Sequence, residues 1–211
     1  MNILQHIYLV VLWILFCVLH SLLAAGWWKL KMCRLLGQSF RFYRFFYSIF
    51  ATLSLSVILY LQIVIESPAL WSGSAALNFV PVVTGISGII IMLACTKKYF
   101  SAVSGIRAFS RKGNSAPVLQ TGGLHRYTRH PLYFGTLLFI WSLFLIFPFL
   151  SNLISCCLIS VYTIAGIQIE ERKLIREFGE VYKNYSRKVP MLIPLFFVKR
   201  LKMHHSLPET V

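Results

Sequence analysis

All 21 lysines and arginines of this chain fall in three segments, 29–44, 97–129 and 172–202. The long apolar runs, 3–25, 45–65, 77–96, 132–148 and 149–169, hold none of them. Most of these runs approach the ~20 helical residues that cross a ~30 Å hydrocarbon core. They are continuous rather than alternating, which excludes the ten-residue strands of a membrane barrel. With 57% hydrophobic residues and a mean hydropathy of +0.71, the chain is too apolar for a soluble domain of 211 residues. The expected fold is all-α: a polytopic integral membrane protein with about five transmembrane helices. Alternating crossings place every positive charge on one face, which puts the N-terminus outside and the C-terminus in the cytosol.

The net charge of +15 has the same explanation. The basic residues determine topology and meet anionic inner-leaflet lipids. Neither a zinc finger nor a basic helix interleaved with aromatics accompanies them, so no nucleic-acid partner is expected. The first run lacks a basic leading region and exceeds a cleavable apolar segment, so it reads as a retained anchor. Cys17, Cys33, Cys95, Cys156 and Cys157 form no C-x-x-C pair. No metal site or disulfide framework is expected from them.

Along the chain, His20 near the end of the first run is expected to hydrogen-bond a neighbouring helix. His6, fourteen residues earlier, belongs at the opposite interface. The aromatic–arginine alternation over 40–47 suits an interfacial anchor. Gly85 and Gly88 allow close helix packing. The loop 97–130 is irregular around 110–117. The last two runs are joined only by 148–152, so they form a tight antiparallel hairpin. That hairpin brings the ends near Tyr133 and Glu170 side by side. Beyond Glu171, Leu174, Phe178, Val181 or Tyr182, and Tyr185 recur at helical spacing until Val189-Pro190 stops the helix. Residues 192–198 are too short to span and suit a re-entrant or surface segment. Three regions follow: a three-helix membrane region 1–116, a core 117–194 and a tail 195–211.

Chemistry-bearing residues concentrate in that core. Gly122-Gly123 permits positive φ and close approach of a ligand to the backbone. Pro131 sits near the first turn of a helix, where its missing N–H costs nothing. Free N–H groups at this helix start, with Arg129, suit an anion or carboxylate. Tyr127, His130 and Tyr133 can stack on a ring or hydrogen-bond a hydroxyl. Across the hairpin, Glu170 and Glu171 suit a ribose diol or a cation. Together these form a pocket for a polar ligand on the cytosolic face.

Arg129-His130-Pro131-Leu132-Tyr133-Phe134-Gly135 resembles the R-H-P-x-Y-x-G motif of the isoprenylcysteine carboxyl methyltransferase-like membrane methyltransferases. Glu170-Glu171-Arg172-Lys173-Leu174, then Phe178-Gly179-Glu180-Val181-Tyr182-Lys183-Asn184-Tyr185 and Val189-Pro190, is similar to that family's C-terminal signature. The resemblance covers about 120–194. It implies S-adenosylmethionine as methyl donor, without a metal. It also implies a cofactor site of Gln120, Gly122, Gly123, Leu124, His125, Tyr127, Arg129, His130, Pro131, Tyr133, Glu170 and Glu171, with Tyr182 and Tyr185 nearby. Arg129 then orients the methionine carboxylate or the acceptor. His130 or His125 serves as base if the acceptor is a neutral thiol.

Segments 20–24 and 42–47 look similar to the denitrification-accessory (NnrU-like) and methanethiol S-methyltransferase branches. The expected partners are therefore the bilayer and a methyl acceptor, either lipophilic (isoprenylcysteine or phospholipid) or a small thiol. The expected location is a bacterial inner membrane. The alternative is a non-catalytic accessory protein that keeps the fold.

Overall fold

The computed structural model describes residues 3–71, 79–103 and 119–194. Among them the regular elements are helical. α1 runs Ile3–Ala24, and a one-residue break at Ala25 leads into α2, Gly26–Leu36. A 3-10 turn, Gly37–Phe42, passes directly into α3, Tyr43–Val64. α4 spans Phe79–Val103, a second 3-10 turn covers Gly123–Arg126, α5 spans Pro131–Ile146 and α6 spans Leu150–Lys188.

Each helix runs against or along its neighbours in a consistent sense. α1 and α6 are parallel, since Trp13 meets Ser155 and Ser21 meets Tyr162. α3 is antiparallel to both, pairing Tyr47 with His20 and Gln62 with Asn152. α5 folds back on α6, with Cys156 donating to the Ile140 carbonyl and Trp141 to Ser160. The described basic segments therefore gather at one end of the bundle.

Among the described residues four helical segments are long and apolar enough to cross a membrane: Ile3–Ala24, Gly26–Val64, Phe79–Lys97 and Leu150–Lys188. The remaining expected crossing, 132–148, is shorter than the apolar run suggested. α5 has 16 residues, or about 24 Å at the α-helical rise. It ends at Ile146 because Phe147 leaves helical geometry ahead of Pro148. Large apolar side chains cover the outside, with Ile63 83% exposed and Phe79 75%. Such a surface belongs to an integral membrane protein, because contiguous apolar area on this scale is not left facing water.

The interior is held by small residues and hydrogen bonds more than by apolar burial, as hydrocarbon solvent requires. Leu9, Trp13 and Ile58 form the tightest apolar cluster, with Leu158 and Ile159 of α6 against it. Beside it Trp13 Nε1 donates to Ser155 Oγ (2.8 Å), which donates to Gln62 Oε1 (2.7 Å). Gln62 Nε2 in turn donates to Asn152 Oδ1 (2.6 Å). On the other flank α4 and α5 pack backbone to backbone. A Cβ at Gly88 would lie 2.7 Å from the Gly135 carbonyl oxygen, and one at Gly135 would lie 2.9 Å from that of Gly88. Thr84 and Ser142 share a hydroxyl bond of 2.8 Å along the same seam.

The expected hairpin, the packing role of Gly85 and Gly88, and the His20 bond to a neighbouring helix are all present. His6 bonds Ser67 at the opposite end (3.1 Å). Ser67 Oγ and the Pro68 carbonyl also take the Ser151 and Leu150 amides, so the start of α6 is capped from another loop. The irregular stretch 110–117 and the segment 195–198 lie outside the described residues.

Candidate functional site

The helix that begins at Leu150 continues past the apolar run and carries the second sequence cluster on its far half. Periodicity alone extends it smoothly to Lys188, yet Gly179 adopts φ 53°, ψ −128° and breaks it. A residue with a Cβ rarely occupies that conformation. The break has a geometric consequence. Eleven residues of straight helix separate two Cα atoms by about 16 Å, beyond what a tyrosine and a glutamate bridge. Because the chain turns at Gly179, the Tyr182 hydroxyl reaches back and donates to Glu171 Oε1 at 2.6 Å.

Glu171 Oε1 is the centre of the site. His130 Nε2 donates to it at 2.7 Å, and Arg129 Nε lies 3.1 Å away. The guanidinium is close enough for an ion pair. Its Nε–H is poorly aligned, so the buried nitrogen lacks a hydrogen bond. Arg129 Nη1 donates to the Ser186 carbonyl (2.9 Å). The other nitrogen of His130, Nδ1, faces Glu170 Oε2 at 3.7 Å. His130 is thus a buried ring between two carboxylates. These approach opposite ring nitrogens, and no metal-holding group occurs among the described residues.

The chain leading into α5 is fixed from the opposite direction. Tyr185 donates to the His125 carbonyl (2.6 Å), and His125 Nδ1 donates to that of Arg129 (3.1 Å). The buried Thr128 hydroxyl meets the Met191 and Leu192 carbonyls at 3.1 and 2.9 Å. The amides of Arg129 and His130 donate to the carbonyls of Pro190 and Met191. The chain after the Val189-Pro190 break thus returns to the residues just before α5 and takes the amides of Arg129 and His130. Pro131 does occupy the first helical position.

Of the expected site residues, the structure joins His125, Arg129, His130, Glu171, Tyr182 and Tyr185 in one bonded cluster. Tyr133 faces Glu170 beside it. Gln120, Gly122, Gly123, Leu124 and Tyr127 lie on or next to the 3-10 turn tied to that cluster through His125. Gly123 uses the positive φ (64°), Gly122 does not (−95°), and a side chain at either would meet nothing. Glu170 and Tyr127 present the open surface, at 44% and 40% exposed. Burial first, and then the bond to Glu171, hold the Tyr182 phenol well above its ordinary range. Burial likewise pushes Tyr185 up to about 12, against the opposing effect of Arg129. Both stay protonated donors at neutral pH, so neither is a base. Thr128 and Ser186 were not singled out from sequence. A lone threonine gives no pattern, and Ser186 acts here through its carbonyl.

Residues 5–189 match the family described as a protein of unknown function, DUF1295. The chain belongs to that family. Among curated proteins it is similar to a methanethiol S-methyltransferase of Crocosphaera subtropica, 36% identical over 41% of this chain and 33% of that one. Methanethiol S-methyltransferase 2 of Bradyrhizobium diazoefficiens is 35% identical over 49% and 39%. The protein-S-isoprenylcysteine O-methyltransferase of Schizosaccharomyces pombe is 38% identical over 40% and 36%. The match thus spans about a third to two-fifths of each of these relatives' own length. No solved structure matches.

Proposed function

We propose that this protein is a membrane-embedded methyltransferase that uses S-adenosylmethionine, with its site on the cytosolic face. The observation that carries the reading is the His130 cluster. Two motifs about forty residues apart in sequence meet with both carboxylates, the histidine and the arginine engaged. Relatives named as methyltransferases support it. The distribution of Lys and Arg supports the orientation.

The residues fit such a ligand in a specific division of labour. Glu170, partly exposed, suits a ribose diol or the ammonium of the methionine moiety. Tyr127 suits the adenine face. The open backbone at Gly122-Gly123 allows close approach. Arg129, with its fork held by Glu171 and Ser186, acts as a positioning group that fixes His130 and the chain after Lys188. When bound, S-adenosylmethionine would supply an electrophilic methyl group on a sulfonium. The protein's task is then alignment of the acceptor more than proton transfer. The acceptor is a small thiol or a lipophilic prenylcysteine, the two classes named among the relatives.

Calorimetry with S-adenosylhomocysteine in detergent tests this. Wild-type protein should bind saturably, and Glu170→Ala should weaken binding about tenfold or more, as expected for losing a charged hydrogen bond of about 1.5–3 kcal/mol. Folded wild-type protein that does not bind would instead favour the accessory role.

A further inference from the structure

The short helix α2 turns a lysine inward. Trp28, Lys29 and Met32 form its half-buried face, whereas Trp27, Leu30, Lys31 and Arg34 on the other side are exposed. Neighbouring helices fix this orientation. Tyr43 of α3 donates its hydroxyl to the Leu23 carbonyl near the end of α1 (2.8 Å) and lies beside Trp28. Other cations nearby rest on aromatic faces, Lys31 5.7 Å from the Trp28 ring centroid and Arg41 4.5 Å from that of Phe42. Such contacts are favourable for a cation. The charged neighbours of Lys29 are instead Arg44 of α3 and Lys173 of α6, both cations.

Three helices thus bring like charges together at the basic end of the bundle, and the register of the fold places them there. Ser21 meets Tyr162. Lys29 and Lys173 follow those two residues toward the same end, with Lys173 three turns beyond Tyr162 on one α6 face. Arg44 stands three residues before Tyr47, which bonds His20. Gathering positive charges opposes folding unless an anion joins them. The chain has six carboxylates against 21 Lys and Arg. Among the described residues the ion pairs go to Arg129, His130 and Lys183, and none reaches Lys29 or Lys173.

We infer that Lys29, Arg44 and Lys173 form a binding site for the phosphate of an anionic phospholipid. The charge follows from the lining, since basic pockets between membrane helices hold anionic headgroups. That the anion arrives as a lipid follows from depth. Trp27, Leu30 and Leu35 of α2 are 61%, 64% and 68% exposed. A helix that exposes them beside Lys31 and Arg34 lies in the interface plane, where lipid phosphates are. One phosphate there offsets the repulsion and ties α2, α3 and α6 together. The site stands independently of the methyltransferase reading.

The test is a melting series on the full chain, washed in neutral detergent and titrated with dioleoylphosphatidylglycerol, dioleoylphosphatidylcholine or inorganic phosphate. Phosphatidylglycerol should stabilise wild type saturably, at about tenfold lower concentration than phosphatidylcholine. Lys29→Gln removes one of the repelling charges, so in detergent alone it should melt at or above wild type. With phosphatidylglycerol it should lose most of the wild-type gain, as should Lys173→Gln. Lys31→Gln, on the exposed face of the same helix, should respond to the lipid as wild type does. Equal responses of Lys29→Gln and Lys31→Gln would reduce the site to a diffuse basic surface and overturn it. Inorganic phosphate that stabilises as strongly as the lipid at equal concentration would overturn the lipid assignment. Lys29→Gln that melts below wild type in detergent alone would mean that the lysine is already paired within the protein, which also overturns the site.

Discussion

A single oxygen, Glu171 Oε1, takes Tyr182, His130 and Arg129 together. Glu171→Ala strands a largely buried guanidinium, and breaking such a pair costs about 3–5 kcal/mol. The variant should therefore melt well below wild type in detergent, whereas Glu170→Ala, at an exposed carboxylate, should melt close to it. Tyr185 gives a pH test. Its folded value of about 12 exceeds the ordinary 10.0, so folding favours its protonated form. The stability this supplies is complete below about pH 10 and disappears as pH rises toward 12. Tyr185→Phe should flatten that alkaline loss in a melting-against-pH series. An equally steep loss in the variant would assign it to other groups. The motif residues were legible because their types and spacing are unusual. The Gly179 break was not, since apolar periodicity runs on across it from Leu174 to Tyr185. Gly179→Ala forces a Cβ into a conformation that costs about 1–3 kcal/mol and should loosen Tyr182 from Glu171.

Helix pairs were legible to the extent that small residues mark them. Gly85 and Gly88 announced a close seam, and α5 supplies its other side with Gly135 and Ser142. At Gly88 even a methyl group would press on backbone atoms at 2.7 and 2.9 Å. Gly88→Val should therefore lower the melting temperature, while Gly166→Ala, whose Cβ would meet no atom within 4 Å, should not. Equal effects would mean that close approach is not what holds α4 to α5. The true length of α5 was hidden, because hydropathy counts Phe147 and Pro148 within the run although the backbone has left the helix there. The return of 190–191 to the start of α5 was hidden as well. It is made by backbone carbonyls, which leave no mark in side-chain type.

For the whole molecule, charge placement was the clearest signal. The described helices alternate so that their basic ends share one end of the bundle with the His130 cluster. Cys33 is exposed at that end. A membrane-impermeant maleimide should label it in inverted vesicles and not in intact cells, and the opposite pattern would reverse the topology. What charge and hydropathy do not encode is the acceptor, because family kinship shares a fold across different substrates. The most direct test of the central claim is transfer of an isotope-labelled methyl group from S-adenosylmethionine by the purified protein to methanethiol or an S-farnesyl cysteine derivative. The geometry predicts labelled product from wild type and its loss in His130→Ala. Folded wild-type protein that labels neither acceptor would contradict the account.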